Sequence, residues 1–470
     1  MNETNTTASC KSVLAYADEH ADASLARLIE ILKIPSISTD SAHDEDVIRG
    51  AQWFADELAA IGFEAEVVKT TGHPVVFAEV AAPEGAPTVL YYGHYDVQPA
   101  DPLELWDSPP FDPQVVDDEN GGRVVARGAV DDKGQVMTIV EALRAWHAVA
   151  GGPPVGVKIM LEGEEESGSA SLDGFLTAYR ERLASDVCVV SDTGMWNAET
   201  PAITTMLRGM VYQEFTITGP SMDLHSGMYG GAVQNPVNVL CSIVAEMHDS
   251  DGRITIPNFY DGVEEPSPAV LSDWESLNFD EKSFLGSAGL TTGDGGEHGR
   301  SMLERTWSRP TLDANGMCGG YVGEGAKTII PSSAMVKISC RLVPGQDPEA
   351  IEHALVAFVR DRLPEGWSLD IDSHGSNPAV EVRNDSPWLN AAREGLTCAY
   401  SNPAIVVGCG GSIPAVGSIQ AELGIDALLV GFGLDDDRVH SPNEKFDLRC
   451  FNGGIRSQIG MLAAFAAHSS

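Results

Sequence analysis

The chain has 470 residues, of which 69 are acidic and 29 are basic, so its formal net charge at pH 7 is −40. So few cations exclude a large basic surface of the kind that replaces the counterions of nucleic acid, and so acidic a surface would be repelled by anionic lipid. Because 43% of the residues are hydrophobic, the charge does not indicate disorder. We therefore expect an acidic globular protein of two or three domains, with no nucleic-acid and no membrane partner.

The N-terminal segment MNETNTTASCKSVLAYADEHADAS has no basic start followed by an apolar run, as a secretory signal would. No stretch approaches the ~20 apolar residues that span a bilayer. The eight cysteines are scattered singly, with no CxxC pair, which favours reduced thiols over a disulfide framework. These features predict a cytoplasmic location.

The first part of the chain alternates helical and β-rich stretches. Apolar residues recur at helical spacing from Leu25 to Leu32 and again from Ile48 to Ile61. The runs VVFAEV, TVLYYG, VGVKIML and DVCVVSD follow, separated by further helical stretches. Strands interleaved with helices predict a layered α/β domain with a mostly parallel sheet.

A second region begins near Met206. It contains the predicted strands VYQEFTIT, AMVKISCRLV and WSLDID, with helices predicted from Asn235 to Met247 and from Pro348 to Leu363. This order favours an α+β sandwich, and after it the runs AIVVG and DALLVGFG return to the first pattern. We therefore predict one domain built from residues 1–206 and 384–470, with a second domain, residues 207–383, inserted into it.

Carboxylates and histidines follow five predicted strands of the first domain. In chain order they are His94 and Asp96; Asp131 and Asp132; Glu162, Glu164, Glu165 and Glu166; Asp192; and Asp435 to Asp437 followed by His440. Because ligands of open α/β sheets bind beyond the carboxyl ends of the strands, we expect these side chains to meet at one edge. Each motif alone is compatible with a helix cap, a turn or a solvated acidic face, but their convergence favours a site.

The composition of this cluster favours metal ions. Carboxylates gathered without a lysine repel each other and take up protons unless a cation lies among them. Oxygen and imidazole ligands without a thiolate suit Zn²⁺ or Mn²⁺ better than Ca²⁺. Two histidines and three or more carboxylates can hold two ions roughly 3.5–4 Å apart, which lower the pKa of a bridging water to ~7. The residues alone thus predict a two-metal hydrolase.

Nine motifs, in chain order, carry a resemblance to a known family. They are YYGHYDVQPA, ARGAVDDKGQ, LEGEEESGS, VSD, DLHSGMYGG, GAKTIIPS, RLVPG, GGSIP and HSPNEKFD. From about residue 20 to 465 the chain resembles the M20 metallopeptidases, and within them the carnosinase-type cytosolic non-specific dipeptidases. The resemblance implies a catalytic domain of the dinuclear-zinc aminopeptidase type, with the inserted α+β sandwich acting as a lid and dimerisation domain.

The resemblance also implies roles for matching residues in the first domain. Two divalent ions per chain are expected, with Zn²⁺ as the first choice and Mn²⁺ as the second. The ligands implied for the first ion, for the second ion and for the bridge between them are, respectively, His94 and Asp192, Glu166 and His440, and Asp131. Glu165 becomes the general base that activates the bridging water, and Asp96 orients the first histidine.

Four further residues are implied to contact the substrate, which is expected to be a small peptide. In a homodimer, His225 of the lid completes the partner subunit's site and stabilises the tetrahedral oxyanion. Arg341 clamps the C-terminal carboxylate of the substrate, a natural bidentate partner for arginine. Thr328 and Ser412 match other substrate-contacting positions.

One motif departs from the family pattern. Relatives usually have an Arg-Glu pair before GGS, where this chain has Gly408 and Cys409. If that glutamate holds the substrate's α-amino group, amine recognition is weakened or moved here. The sequence thus predicts metal-dependent hydrolysis of dipeptides or short peptides. It leaves open an N-acyl-amino-acid deacylase of the same superfamily, and a non-catalytic dimeric binding protein on this fold.

Overall fold

The computed structural model describes residues 3–293, 295–382, 386–411 and 413–468. The chain forms two compact units. The first comprises Met1–Thr205, Val382–Val407 and Ser418–Ser470, and the second comprises Met206–Glu381 and Gly408–Gly417. The catalytic and lid roles predicted for the two domains remain predictions.

Helices and strands alternate along most of the described chain. The helices are α1 (Glu3–Glu19), α2 (Ala21–Leu32), α3 (Asp44–Ala59), α4 (Lys133–Ala150), α5 (Leu172–Leu183), α6 (Ser226–Tyr229), α7 (Pro236–Ala245), α8 (Pro268–Ser276), α9 (Glu281–Ser287), α10 (Pro348–Arg360), α11 (Pro387–Thr397), α12 (Pro414–Leu423) and α13 (Leu448–Ala467). The strands are β1 (Glu64–Val68), β2 (Val75–Val80), β3 (Thr88–His94), β4 (Gln114–Val116), β5 (Arg123–Val125), β6 (Gly156–Glu162), β7 (Val187–Val190), β8 (Ala202–Leu207), β9 (Gly209–Thr218), β10 (Leu224–His225), β11 (Thr311–Gly319), β12 (Ile329–Ile330), β13 (Ser333–Leu342), β14 (Ser368–Asn377), β15 (Val380–Glu381), β16 (Ile405–Cys409), β17 (Asp426–Leu429) and β18 (Lys445–Asp447).

The main sheet has nine strands, in the order β1-β2-β6-β3-β7-β17-β8-β15, and β16 also pairs with β8. Its central strands β6, β3, β7 and β17 are parallel, and antiparallel strands flank them on both sides. The predicted α/β class with a mostly parallel central sheet is therefore confirmed. Because parallel strands end at the same edge, this arrangement gathers the residues that follow β3, β6 and β7.

Helices with one apolar face, or buried on all faces, form the core of the first unit. In α3 the buried residues Val47, Ala51, Phe54 and Leu58 recur at helical spacing, while acidic residues in its first turn favour the positive end of the helix dipole. In α4 and α13 most residues are buried, so these two helices lie inside the unit rather than on its surface.

A small sheet with the order β18-β5-β4 lies in the same unit, separate from the main sheet. Its strands are antiparallel, and β5 pairs with β4 and with β18. The predicted strand before Asp131 is β5, so the expectation that all five strand ends belong to one sheet edge is wrong for this strand. Because β5 pairs with β4 on one side and β18 on the other, neither of its edges is free to pair with a strand of the main sheet.

The second unit is built around a four-stranded antiparallel sheet with the order β11-β13-β9-β14. Its separate core contains Phe215 and Val336 from the sheet, Leu240 from α7, and Leu355 and Phe358 from α10. Strands β10 and β12 form a two-stranded ribbon. A buried ion pair adds to this unit: Glu297 accepts hydrogen bonds from Arg309 at 3.0 and 3.1 Å.

The segment Gly408–Gly417, which the predicted boundaries leave in the first domain, packs in the second unit. Arg208 holds it there: its backbone N–H donates to the carbonyl oxygen of Gly411 at 3.1 Å, and its Nε donates to that of Gly410 at 3.0 Å. Hydrogen bonding from Arg208, the residue between β8 and β9, rather than chain order, decides where this segment lies.

All eight cysteines are free thiols. Within the described ranges, no helix combines the length and the apolar character needed to cross a bilayer.

Two glycines of the first unit provide a matched test of packing. At Gly134, in the first turn of α4, a β-carbon would overlap the carbonyl oxygen of Ala129, whereas at Gly174 in α5 nothing lies within 4 Å of one. We expect Gly134→Ala to lower the free energy of unfolding by about 1–3 kcal/mol or more, through overpacking against backbone. Gly174→Ala is expected to raise it by about 0.5–1 kcal/mol, because alanine favours the helix. Urea unfolding of both variants would check this, and equal effects would contradict it.

Candidate metal centre

Three parallel strands place the first group of predicted ligands. His94 is the last residue of β3, and Asp192 follows the end of β7 by two residues. Next to β3, strand β6 ends at Glu162, and the loop after it carries Glu165 and Glu166 in a short 3-10 helix. Since β3, β6 and β7 run parallel, their carboxyl ends deliver these side chains to one edge of the sheet.

Asp131 and His440 reach the same place from outside the main sheet. Asp131 lies in the loop between β5 and α4, and His440 lies between β17 and β18, eleven residues beyond the end of β17. Two of the five predicted ligands therefore depend on loop conformation rather than on the sheet edge.

The structure brings the five predicted ligands into two groups that share one residue. His94, Asp131 and Asp192 form one group, and Asp131, Glu166 and His440 form the other, with the potential ligand atoms in each within 4.8 Å of one another. His94 Nε2 lies 3.2 Å from Asp131 Oδ1 and 3.9 Å from Asp192 Oδ2. On the other side, His440 Nε2 lies 2.9 Å from Asp131 Oδ2 and 3.3 Å from Glu166 Oε2. The two oxygens of Asp131 thus face different groups.

The polar atoms of these groups fit divalent cations. Among the described residues, Nε2 of His94 and Oε1 of Glu166 are buried and make no hydrogen bond, although carboxylate oxygens lie close to the imidazole. Buried polar atoms without hydrogen bonds are costly unless something else binds them. Imidazole nitrogens and carboxylate oxygens, with no thiol in either group, suit Zn²⁺ or Mn²⁺.

Asp96 holds two parts of the centre together. Nδ1 of His94 donates to the backbone carbonyl oxygen of Asp96 at 3.1 Å, which leaves Nε2 facing the carboxylates. The Asp96 carboxylate lies 3.4 Å from that Nδ1 and accepts hydrogen bonds from the backbone N–H groups of Glu165, at 3.3 Å, and Glu166, at 3.0 Å. The side chain predicted to orient His94 therefore also fixes the loop that follows β6.

Sequence reasoning assigned no role to Gln98 or Glu444. Gln98 Nε2 donates to Oε2 of Glu166 at 2.8 Å and so orients that carboxylate. Glu444 is fully buried, and its carboxylate accepts hydrogen bonds from the loop that carries Asp131. Both lie in the quoted motifs YYGHYDVQPA and HSPNEKFD, but an amide or a carboxylate within a motif does not reveal its hydrogen-bond partners.

The pKa values in the centre follow from burial and from neighbouring charge. Burial alone would lower the pKa of His94, but the carboxylates of Asp131 and Asp96 raise it well above its ordinary value. Hydrogen bonds that His440 donates to the carboxylates of Asp131 and Glu166 raise its pKa to about 10. Burial raises the pKa of Asp192. Groups whose pKa values are raised tend to hold protons, which a divalent ion bound in their place would displace.

The pKa values of Asp131 and Glu165 are shifted in opposite directions. Burial by itself would raise the pKa of Asp131, but the neighbouring imidazoles of His440 and His94 hold it below its ordinary value, so Asp131 stays ionised. Burial raises the pKa of Glu165, and the charge of His94 opposes that rise only in part. A carboxylate whose pKa is raised is a stronger base than an ordinary glutamate and is therefore better suited to accept a proton.

The predicted substrate contacts that the structure describes lie in the second unit. His225 and Thr328 are both exposed, on and beside the ribbon of β10 and β12, where Ser226 N–H donates to the carbonyl oxygen of Thr328 at 3.0 Å. Nδ1 of His225 accepts from the backbone N–H of Gly227 at 3.0 Å. Arg341 is half-buried in β13. Ser412 lies outside the described residues.

The Gly408–Cys409 departure has a local structural explanation. A β-carbon at position 408 would lie 2.7 Å from Cβ of Trp307, so this backbone accepts no larger side chain without movement. Cys409 is half-buried, and its Sγ lies 3.3 Å from the backbone nitrogen of Gly411, which donates to it. Arg208 lies nearby, and its pKa is lowered to about 10 by burial and by the charge of Arg341.

Comparison with known proteins gives a consistent result over nearly the whole chain. Residues 90–464 match peptidase family M20/M25/M40. The Cys-Gly metallodipeptidase dug1 of Schizosaccharomyces pombe is 30% identical over 459 residues, which cover 93% of this chain and 94% of that protein. The Beta-Ala-His dipeptidase of Homo sapiens is 28% identical over 458 residues, covering 93% of this chain and 89% of that protein.

A solved structure shows that the similarity extends to the fold. The crystal structure of an M20 family metallo-carboxypeptidase from Sulfolobus solfataricus matches with a TM-score of 0.82 at 30% identity, covering 94% of this chain and 99% of that one. The similarity therefore includes both units of the chain and not the main sheet alone.

Beneath the centre, Glu162 provides a pH-dependent test of the site's electrostatics. Its Oε2 accepts from the Tyr92 hydroxyl at 2.8 Å, and burial raises its pKa from 4.5 to about 7. The folded protein therefore holds this proton more tightly than the unfolded chain, so stability is lost as pH rises from about 4.5 to 7. We expect Glu162→Gln to remove up to about 1.4 kcal/mol per pH unit of that slope. Urea unfolding of the wild-type protein and the variant across this pH range, with chelator present, measures how the free energy of unfolding of each depends on pH. Equal slopes would contradict the raised pKa assigned to Glu162.

Proposed function

The chain belongs to peptidase family M20/M25/M40, and from this membership we propose that it is a metallodipeptidase, an enzyme that hydrolyses dipeptides with bound divalent metal ions. The observation that carries the proposal is the pair of ligand groups that share Asp131. Two groups joined by one carboxylate suit two ions held close together, the arrangement of two-metal hydrolases. Zn²⁺ is the ion we propose first, and Mn²⁺ the second.

The proposed division of labour among the residues follows from their positions. The two groups of ligands would hold divalent ions, which would supply the Lewis acidity that polarises a carbonyl and lowers the pKa of water to about 7. Glu165 takes the proton of the attacking water and passes it to the leaving amine, a role that its raised pKa supports. Asp96 keeps Glu165 and Glu166 in place through their backbone N–H groups.

We propose that the second unit recognises the substrate. Arg341 and Arg208 are close enough for the charge of one to lower the pKa of the other. A substrate carboxylate between or beside two guanidinium groups would relieve that repulsion, which supports Arg341 as the C-terminal clamp. His225 is proposed as the donor to the oxyanion, with Thr328 and Ser412 as further contacts.

We propose a homodimer in which His225 completes the partner subunit's site. An uncharged cavity in the second unit supports it, because it offers a neutral surface for contact between two acidic subunits. The cavity, of about 490 Å³, lies in the second unit beside β12 and includes Ser226, Asn235 and Ile330 in its lining. Among the described residues that line it, none is charged. Two copies with a net charge of −40 each repel, so a contact between them favours a neutral surface such as this one. The predicted cytoplasmic location stays a prediction.

Turnover of a substrate panel by metal-stripped and reconstituted protein tests the function. With Zn²⁺ or Mn²⁺ restored, we expect hydrolysis of dipeptides with free amines, loss of activity with chelator, and about two ions per chain. Cys409 stands where the family resemblance implies a glutamate, so N-acylated amino acids belong in the same panel. Exclusive turnover of these would assign a deacylase. Two bound ions with no turnover of either class would assign a binding protein.

Substitution of the proposed base separates catalysis from metal binding. Glu165→Gln retains the shape of the side chain and removes its ability to accept a proton. We expect two ions to remain bound while kcat falls by ~10²–10⁴, the usual contribution of a general base. Metal analysis and steady-state kinetics on the same preparation measure both quantities. Near-normal turnover in this variant would remove Glu165 from the mechanism.

Mixing two inactive variants tests the shared site. In a heterodimer of His225→Ala and Glu165→Gln subunits, one of the two sites combines an intact Glu165 with an intact His225 from the other subunit. Random exchange makes half of the dimers mixed, so we expect about a quarter of wild-type activity to return. Each variant alone serves as the control. No recovery, with subunit exchange confirmed by mass, would count against a site completed across the dimer.

A further inference from the structure

Asp131 is the one residue that belongs to both ligand groups. Unlike His94 and Asp192, however, it does not follow a strand of the main sheet. Strands β3 and β7 lead directly to His94 and Asp192. By contrast, the loop of residues 126–132 that carries Asp131 follows a short strand of the small sheet, and something other than the main sheet must hold it.

Glu444 supplies that support. One oxygen of its fully buried carboxylate accepts from the backbone N–H groups of Val130, at 3.0 Å, and Asp131, at 3.1 Å. The other oxygen accepts from the backbone N–H of Gly128 at 3.1 Å and from Nη1 of Arg127 at 2.6 Å. A single side chain thus receives four hydrogen bonds from the residues that lead up to the bridging carboxylate.

The same residue belongs to the segment that carries His440. Glu444 immediately precedes β18, and its carbonyl oxygen accepts from the N–H of Ala126 at 3.1 Å. Arg438, His440 and Asn443 all have left-handed backbone conformations, with φ of 59°, 60° and 62°. Such conformations in residues other than glycine persist only where the surroundings hold them. The His440 segment therefore needs a firm attachment, and Glu444 is next to its end.

Arg127 extends the connection to the His94 side. Its Nη1 donates to Glu444, and its Nη2 donates to the carbonyl oxygen of Pro99 at 3.1 Å. Pro99 follows the residues that orient His94 and Glu166. Both partners of the ion pair are buried, where hydrogen bonds between charged groups are strong and removal of one partner is costly.

We propose that Glu444 is a positioning residue for the metal centre: through its buried pair with Arg127 it holds the loop of Asp131 against the segment of His440. This rests on the proposed function, because it assumes that the two groups bind ions. The ion of the Asp131–Glu166–His440 group depends on Glu444 through two of its ligands. The ion of the other group depends on it through Asp131 alone.

The test is a metal titration of Glu444→Gln. The amide keeps the volume of the side chain but turns an NH₂ group towards N–H donors, so at least one pair of hydrogen bonds is lost. Calorimetric titration of the metal-stripped protein with Zn²⁺ is expected to show one ion bound with nearly wild-type affinity. The second ion should bind about 10–100-fold more weakly, the usual effect of removing support behind a ligand.

A matched control separates positioning from general stability. Glu297→Gln breaks a comparable buried carboxylate–arginine pair in the second unit, with Arg309, away from any proposed ligand. We expect it to lower the melting temperature and to leave both metal affinities unchanged. If Glu444→Gln does not fold, Arg127→Lys takes its place: it keeps the charge, loses one of the two donor contacts, and should weaken the second ion by a smaller factor.

The outcomes distinguish this inference from the proposed function. Wild-type protein that binds two ions, together with a Glu444 variant that binds both equally well while its melting temperature falls, makes Glu444 merely structural and overturns the inference alone. Equal loss of both metal affinities in the Glu444 and Glu297 variants would also overturn it. Wild-type protein that binds no ion would overturn the proposed function itself.

Discussion

Repulsion among carboxylates gathered at one edge of the main sheet is the constraint on which the rest of this structure depends. Asp131, Asp192, Glu165 and Glu166 meet there, and the described cations near them are two histidines whose pKa values these carboxylates raise. Lys133 is close in sequence, but its Nζ donates to the carbonyl oxygen of Ile34. Such a concentration of charge in a buried place requires cations, and the geometry offers two neighbouring positions for them.

The fold meets this constraint in two different ways. His94 and Asp192 are placed by parallel strands, whose hydrogen bonds leave little freedom at the strand ends. Asp131 and His440 are placed by loops, and a loop needs its own attachments. Glu444 accepts buried hydrogen bonds from the loop that carries Asp131, and Asp96 in the same way accepts them from the loop that carries Glu165 and Glu166. The edge of the main sheet and the loops that carry Asp131 and His440 together form one site.

The residues proposed for substrate recognition and those proposed for metal binding belong to different units of the chain. The five predicted ligands belong to the first unit, while His225, Thr328 and Arg341 belong to the second. If these proposed roles hold, a substitution in the second unit changes what is bound and leaves the residues proposed to hold the ions unaltered. Gly408 and Cys409 belong to the second unit, where their segment is attached to Arg208 and approaches Trp307.

The sequence alone determined the class of the fold, the positions of the central strands of both large sheets, though not those of β1, β8 or β11, and the identity of the ligands that the structure groups together. The spacing of apolar residues and the composition of each segment suffice for the fold class and the strand positions. A buried parallel strand is a short apolar run, and the residue after it lies at the sheet edge. The family motifs suffice for the identity of the ligands. Only the tertiary structure decided that Asp131 comes from a separate small sheet, that Gly408–Gly417 packs with the second unit, and that Glu444 supports the bridge. Each of these depends on hydrogen bonds between segments up to about three hundred residues apart, and no local pattern records such a partner.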